Sequence, residues 1–184
     1  IFGSLFGPTD NSTWDVIITN YRLPKALTAI LVGSGLGISG LLMQTLFKNP
    51  LAGPFVLGIS SGASLGVAFV ILGSGLFGGI VAASLVSKWS IVIASSLGSF
   101  LVLLAVLAVS NKVRDTMAIL IIGLMFGSIT AAVVSVLSYF SSAEQLQQYI
   151  FWGFGSLSNL SWNEILIFFG IYAVGIILSI ASIK

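Results

Sequence analysis

The chain has 184 residues, of which 57% are apolar, with seven Lys or Arg against five Asp or Glu. Charged side chains make up 7%, against roughly 25% in a soluble domain; so few cannot clothe a water-facing exterior, and lipid must cover much of the surface. The dispersed net charge of +2 argues against a nucleic-acid-binding face, and the absence of Cys and His removes thiol chemistry and imidazole metal ligation.

In chain order, the first apolar segment is Ala26–Phe47, preceded by Tyr21-Arg22-Leu23-Pro24-Lys25. Pro24 suits an early helix turn, where it loses no required hydrogen bond. This reading puts two cations, Arg22 and Lys25, at a helix N-terminus, where the helix dipole disfavours them. A polar turn follows, Lys48-Asn49-Pro50-Leu51-Ala52-Gly53-Pro54, and its prolines end one span before the next begins. The second segment is Phe55–Leu72. Leu76–Val86 is apolar but eleven residues long, which suits an interfacial piece better than a span. Three further segments are Ser90–Val109, Thr116–Tyr139 and Ile165–Ile183. About 20 helical residues at 1.5 Å each cross the roughly 30 Å hydrocarbon layer. No ten-residue alternation marks a barrel strand, so the fold class is all-α: a polytopic transmembrane helical bundle with about five spans and short interfacial helices.

Glycines recur four apart at Gly33 and Gly37, at Gly58, Gly62 and Gly66, and at Gly123 and Gly127. That spacing puts small residues on one helix face and lets a neighbouring backbone approach closely. In Thr116–Tyr139, Ser128, Ser135 and Ser138 fall on one face at spacings of seven and three, with Ala131 between them. Such a stripe serves either a weakly polar passage or helix packing. Between the last two segments, the run from Glu144 to Gly153 mixes three glutamines with Tyr149, Phe151 and Trp152. It reads as a short interfacial helix on the external side, with Tyr149, Trp152 and the later Trp162 either anchoring at the headgroup boundary or gating a cavity mouth.

No acidic or basic side chain lies inside the five segments. Ion-coupled carriers commonly hold one at mid-membrane, so the pattern favours a transporter powered from elsewhere over a secondary carrier or channel. The chain has no G-x-x-x-x-G-K-[ST] loop to cradle nucleotide phosphates and is therefore not an ATPase, nor any other enzyme recognisable from its residues.

One stretch is more specific than any of these patterns. Arg22, Leu23, Pro24, Gly33, Ser39, Gly40, Gln44, Asn49-Pro50-Leu51-Ala52, Pro54, Leu57, Gly58, Gly62, Ala63 and Gly66 stand at the spacing of one known family. The chain resembles the FecCD-type membrane permeases of iron-chelate, haem and vitamin B12 ABC importers. Weaker similarity continues through Phe151-Trp152-Gly153-Phe154-Gly155-Ser156-Leu157 and Ser161-Trp162. The resemblance implies that residues 1–184 belong to a single importer transmembrane domain, as spans two to six of about ten. The first helix would precede Ile1, and the inverted second half, with the ATPase contacts, would follow Lys184.

It further implies binding-protein-dependent import of an iron-siderophore, haem, cobalamin or related chelate in the bacterial inner membrane. The chain itself would bind no cofactor; ATP and Mg would sit on a separate ATP-binding cassette subunit. A periplasmic or lipid-anchored substrate-binding protein and a second permease copy complete the expected partners. Arg22, and more weakly Lys25, would dock acidic residues of the binding protein, with snorkelling to headgroups as the other use of both side chains. Thr116–Tyr139 would line the cavity of the dimer through Ser128, Ala131, Ser135 and Ser138. Asn49, Pro50, Pro54, Gly33, Gly37, Gly58, Gly62 and Gly66 would serve turns and packing.

Five spans put Lys48, Lys112, Arg114 and Lys184 on one face, expected to be cytoplasmic, and Arg22, Lys25 and Lys88 on the other with Asp10, Asp15, Glu144 and Glu164. Single cysteines at positions 22 and 112 should accordingly label from opposite sides of intact membranes. Labelling of both from one side would overturn the topology.

Overall fold

The computed structural model describes residues 12–74, 87–111, 113, 115–157 and 160–182. The segment Leu76–Val86, and Asp10, Lys112, Arg114 and Lys184, lie outside the described residues. The helices are α1 (Ser12–Ile17), a π-helical turn (Ile18–Arg22), α2 (Leu23–Phe47), α3 (Ile59–Ile71), α4 (Lys88–Ser110), α5 (Thr116–Tyr139), α6 (Ala143–Phe154) and α7 (Trp162–Ala181). There is no strand among the described residues.

Among the described residues, four helical runs are long and apolar enough to cross a membrane: Thr13–Phe47, Lys88–Ser110, Met117–Tyr139 and Trp162–Ala181. The expected span Phe55–Leu72 differs. Only Ile59–Ile71 is helical there, 13 residues or about 20 Å, short of a hydrocarbon crossing. The reason is local. Residues 54–57 form turns, and Gly58 enters α3 with φ 72°, a left-handed conformation that ends any helical register upstream.

The N-terminal run also departs from expectation. Pro24 lies within a continuous helical run beginning at Ser12 rather than in its first turn. Proline has no N–H and its ring crowds the preceding turn; the chain answers with the π-turn, in which the Leu23 N–H reaches back five residues to the Ile18 carbonyl. Arg22 closes that π-turn and Lys25 follows it, both exposed. Neither cation is at a helix N-terminus, so the unfavourable dipole interaction expected for them does not arise. Asp15 holds the first-turn position that the dipole favours.

The chain divides into two compact units, residues 1–39 with 156–184, and residues 40–155. In the first, the Tyr172 hydroxyl of α7 donates to Ser34 Oγ of α2 at 2.8 Å, and the Tyr172 ring lies where a Cβ at Gly35 would meet it at 3.3 Å. At the start of α7 the Ser161 N–H donates to the Glu164 carboxylate at 2.8 Å.

The second unit is built around α3. A Cβ at Gly62 would strike the Gly98 carbonyl oxygen of α4, and one at Gly98 would strike the Gly62 carbonyl. Gly66 stands in the same relation to the Ala94 carbonyl, and Gly123 of α5 to the Val56 carbonyl. A Cβ at Gly58 would meet the Gly123 carbonyl at 2.7 Å. Backbone therefore packs on backbone along α3, with Ser99 Oγ donating across to the Ile59 carbonyl at 3.1 Å. Two buried clusters flank this contact, Phe47, Ala52, Leu57, Val102 and Val106 on one side and Val67, Ala68, Ile71, Leu72 and Leu137 on the other.

Helix ends carry polar caps. Ser87 and Ser90 form a reciprocal box at α4, and Ser142 and Gln145 another at α6; Asp115 accepts from the Met117 N–H at α5. By contrast, no described atom lies within 4 Å of a Cβ built at Gly33 or Gly37.

Gly62→Ala and Gly98→Ala should each cost about 1–3 kcal/mol through overpacking, whereas Gly33→Ala should stay within about 0.5 kcal/mol. Thermal unfolding of the purified protein in detergent measures the contrast. Equal shifts at positions 33 and 98 would remove the backbone contact as the organising feature.

Candidate functional site

Small side chains on α3 and α5 leave a groove between them. Its volume is about 510 Å³, and its walls are Ser60, Ser61 and Ser64 of α3, Gly127, Thr130, Ala131, Val134 and Ser135 of α5, and Tyr149 of α6. Spacings of three and four along α5 put its five contributors on one face. Gly127 matters most for the width. A Cβ there would meet Ser61 Oγ at 3.3 Å, so the glycine is what brings the serines of α3 alongside α5.

The groove carries hydroxyls and no charge. Hydroxyls inside the helices are often spent locally: Thr28 donates to the Pro24 carbonyl, Thr45 to Leu41, Ser138 to Val134 and Ser179 to Gly175. Among the described residues, the hydroxyls of Ser60, Ser61 and Ser135 make no such bond. Each can donate and accept, and they present one edge of a groove to whatever enters it. Such a surface exchanges hydrogen bonds with a polar ligand and holds it weakly, since no ionic partner is present.

The helix α6 closes one end. Tyr149 Oη and Ser64 Oγ share a hydrogen bond of 2.5 Å, and the Tyr149 ring stacks with Trp152 at a centroid distance of 6.3 Å. Further along, Gln145 Nε2 donates to Ser74 Oγ at 2.8 Å, Ser74 donates to the Ile71 carbonyl at 2.6 Å, and Ser141 donates to the Leu137 carbonyl at 2.6 Å with the Leu72 carbonyl as a longer second acceptor at 3.3 Å. These bonds supply partners at the end of α3, where helical carbonyls lack them. Glu144, in the exposed first turn of α6, has its carboxyl held below the usual carboxylate range by its own backbone N–H and then by the Ser142 hydroxyl. Its contribution to that turn is present above the ordinary carboxylate pKa and is lost as pH falls through the lowered value.

The residues singled out from sequence divide accordingly. Ala131 and Ser135 line the groove; Ser128 is exposed away from it, and Ser138 is half-buried and bonded within its own helix. Gly58, Gly62 and Gly66 make the α3 contacts described above. Asn49 Oδ1 accepts the Leu51 N–H at 2.9 Å, the Pro50 carbonyl accepts from Gln44 Nε2 at 3.0 Å, and Pro54 is half-buried in the following turns. Ser60, Ser61, Ser64 and Thr130 were missed, while Tyr149, read as an anchor or a gate at a cavity mouth, lines the groove. The signal available was Ser60-Ser61 with Ser64 one turn on, in a stretch whose glycines drew the reading. No group of three His, Cys, Asp or Glu able to hold a metal occurs among the described residues.

Comparison with known proteins gives a consistent picture. The family model described as the FecCD transport family matches residues 1–184. The hemin transport system permease protein HmuU of Yersinia pestis is 34% identical over 160 residues, covering 86% of this chain and 46% of the relative. The vitamin B12 import system permease protein BtuC of Klebsiella pneumoniae subsp. pneumoniae is 34% identical over 151 residues, covering 82% of this chain and 43% of the relative. A solved structure, described as an inward-facing conformation of a transporter of metal-chelate ABC type, superposes with a TM-score of 0.77 at 31% identity, over 94% of this chain and 53% of that one. The chain thus spans about half the length of the relatives it matches.

Tyr149→Phe should remove about 1 kcal/mol of attachment between α6 and α3. Hydrogen exchange should show faster opening of α6 with α4 unchanged, and Ser64→Ala should add nothing further in the double variant. Full additivity of the two substitutions would mean that the hydroxyl pair is not the tether.

Proposed function

The chain belongs to the FecCD transport family and is a multi-pass protein of the bacterial inner membrane, and from that premise we propose that it is the permease component of a binding-protein-dependent ABC importer for a metal chelate. An iron-siderophore, haem or cobalamin fits the class, since the relatives named above are hemin and vitamin B12 permeases. The observation that carries the reading is the match of residues 1–184 to the family model, together with a wide, uncharged, hydroxyl-lined groove. Bulky chelates need width and weak, replaceable contacts. A strong ionic site would trap them.

Under this reading the pathway wall runs along Ala131 and Ser135 of α5 and gains Ser60, Ser61 and Ser64 from α3. Energy comes from ATP and Mg on a separate ATPase subunit, and a second permease copy completes the channel. Arg22 and Lys25 are the docking cations for a soluble binding protein. Both are exposed, and the run Thr13–Phe47, about 52 Å long at 1.5 Å per residue, exceeds the hydrocarbon thickness by enough to carry them past its edge.

The test is uptake by the transporter reconstituted with its ATPase and binding protein. Uptake should require ATP hydrolysis and ignore proton or sodium gradients; gradient-driven uptake without ATP would replace this reading with a secondary carrier. In the same assay Arg22→Glu should weaken docking, more at low salt than at high salt, because exposed charges are screened. Undiminished docking after reversing both Arg22 and Lys25 would leave those cations to the lipid headgroups.

A further inference from the structure

The core cluster of Phe47, Leu57 and Val106 does not close on itself. Beside it lies a second cavity of about 180 Å³, apolar except for Ser110. Its floor is buried, with Phe47 at 6%, Leu57 at 5% and Val106 at 1% exposure, and its rim is open, with Leu46 at 63% and Leu107 at 50%. The contributing residues are in the last turn of α2, the turn before α3, the last turns of α4 and the first turns of α5, with Lys48 and Asn111 next in sequence to Phe47 and Ser110. In a membrane protein that is the depth just inside the headgroups. An apolar void of this kind excludes water, because it offers too few polar partners.

Lys48 follows Leu46 and Phe47 directly and is exposed. Its φ of 48° is left-handed, costly for a side chain with a Cβ, and it is the one non-glycine residue with positive φ among those described. Bonds from the Lys48 N–H to the Thr45 carbonyl (3.3 Å) and from the Asn49 N–H to the Gln44 carbonyl (3.1 Å) fix it there. The chain thus holds a cation, in a strained conformation where glycine would be easier, beside an apolar opening.

We propose that this cavity takes an acyl chain of an anionic phospholipid, with Lys48 pairing with the headgroup phosphate. Acyl chains are the apolar ligand the surroundings supply, and the lysine stem lies along apolar surface while its ammonium reaches phosphate depth. A basic side chain at this level favours an anionic over a zwitterionic headgroup.

The experiment uses the assembled transporter, purified from its membrane and exchanged into nanodiscs holding equal phosphatidylglycerol and phosphatidylcholine. Retained lipid per permease chain is then counted by native mass spectrometry. Phosphatidylglycerol should be retained about fivefold over phosphatidylcholine. Lys48→Gln should lower the preference severalfold and Lys48→Arg should keep it, which separates charge from backbone strain. Ser110→Phe, filling the cavity, should lower retention of both lipids; Leu107→Trp at the rim serves the same purpose if the first variant does not fold. No headgroup preference in the parent, or retention unchanged by a folded cavity-filling variant, overturns the site. Loss of permease dimers with lipid retention intact would assign the cavity to the second copy instead.

Discussion

The second unit of this protein depends on backbone meeting backbone where α3 crosses α4 and α5. In lipid there is little hydrophobic gain from burying one apolar helix against another, so close van der Waals packing must supply the association. Gly62 and Gly98 supply it by removing the two side chains that would hold the axes apart. Once α3 is that close, one face of it is covered by protein, with Val67, Ala68 and Ile71 fully buried, while Ser60 and Phe69 on the other side stay exposed. A helix held along that face need not span, and a short one becomes tolerable.

Shortness has a cost, however. The ends of a helix below spanning length leave carbonyls without partners at a depth where water is scarce. The Ile71 carbonyl receives Ser74, and Gln145 then ties Ser74 to α6. The interfacial helix is thus held to α3 by the polar groups that the short helix requires. The same helix brings Tyr149 to Ser64, at the end of the groove. Packing, capping and the shape of the site are one arrangement.

Much of this was legible in the sequence, and the exceptions are instructive. The long apolar segments and the polar run around Glu144 gave helices close to their expected bounds, because hydropathy and capping serines act locally. Phe55–Leu72 misled because it carries no charge and is apolar enough to read as one span, while the turns at 54–57 and the left-handed Gly58 stop the helix from starting earlier. Pro24 misled because a π-turn absorbs its missing donor, which no spacing rule reveals. The site was half legible. Ala131 and Ser135 were on the serine stripe, but Ser128 and Ser138 followed from a seven-and-three phase, whereas the groove follows Gly127, Thr130, Ala131, Val134 and Ser135. Which face of α5 is open depends on where α3 lies, and that is set by glycine contacts between distant parts of the chain.

The groove also shows why hydroxyls suit a helical membrane protein whose proposed cargo is a chelate. A carboxylate or ammonium at this depth would need a partner, and the pair would bind a charged ligand too tightly for passage. A serine costs little, because when nothing else is near it can bond the carbonyl one turn back, as Ser138 does. Ser135 can exchange a backbone bond for a ligand bond by a change of χ1 rotamer, and Ser60 and Ser61 keep their hydroxyls available, so that a ligand in the proposed passage would meet replaceable bonds. A surface of that kind supplies no driving force of its own. It suits the proposed permease, whose work would be done by a partner, and it lets a chain with so few charges line a polar groove with hydroxyls alone.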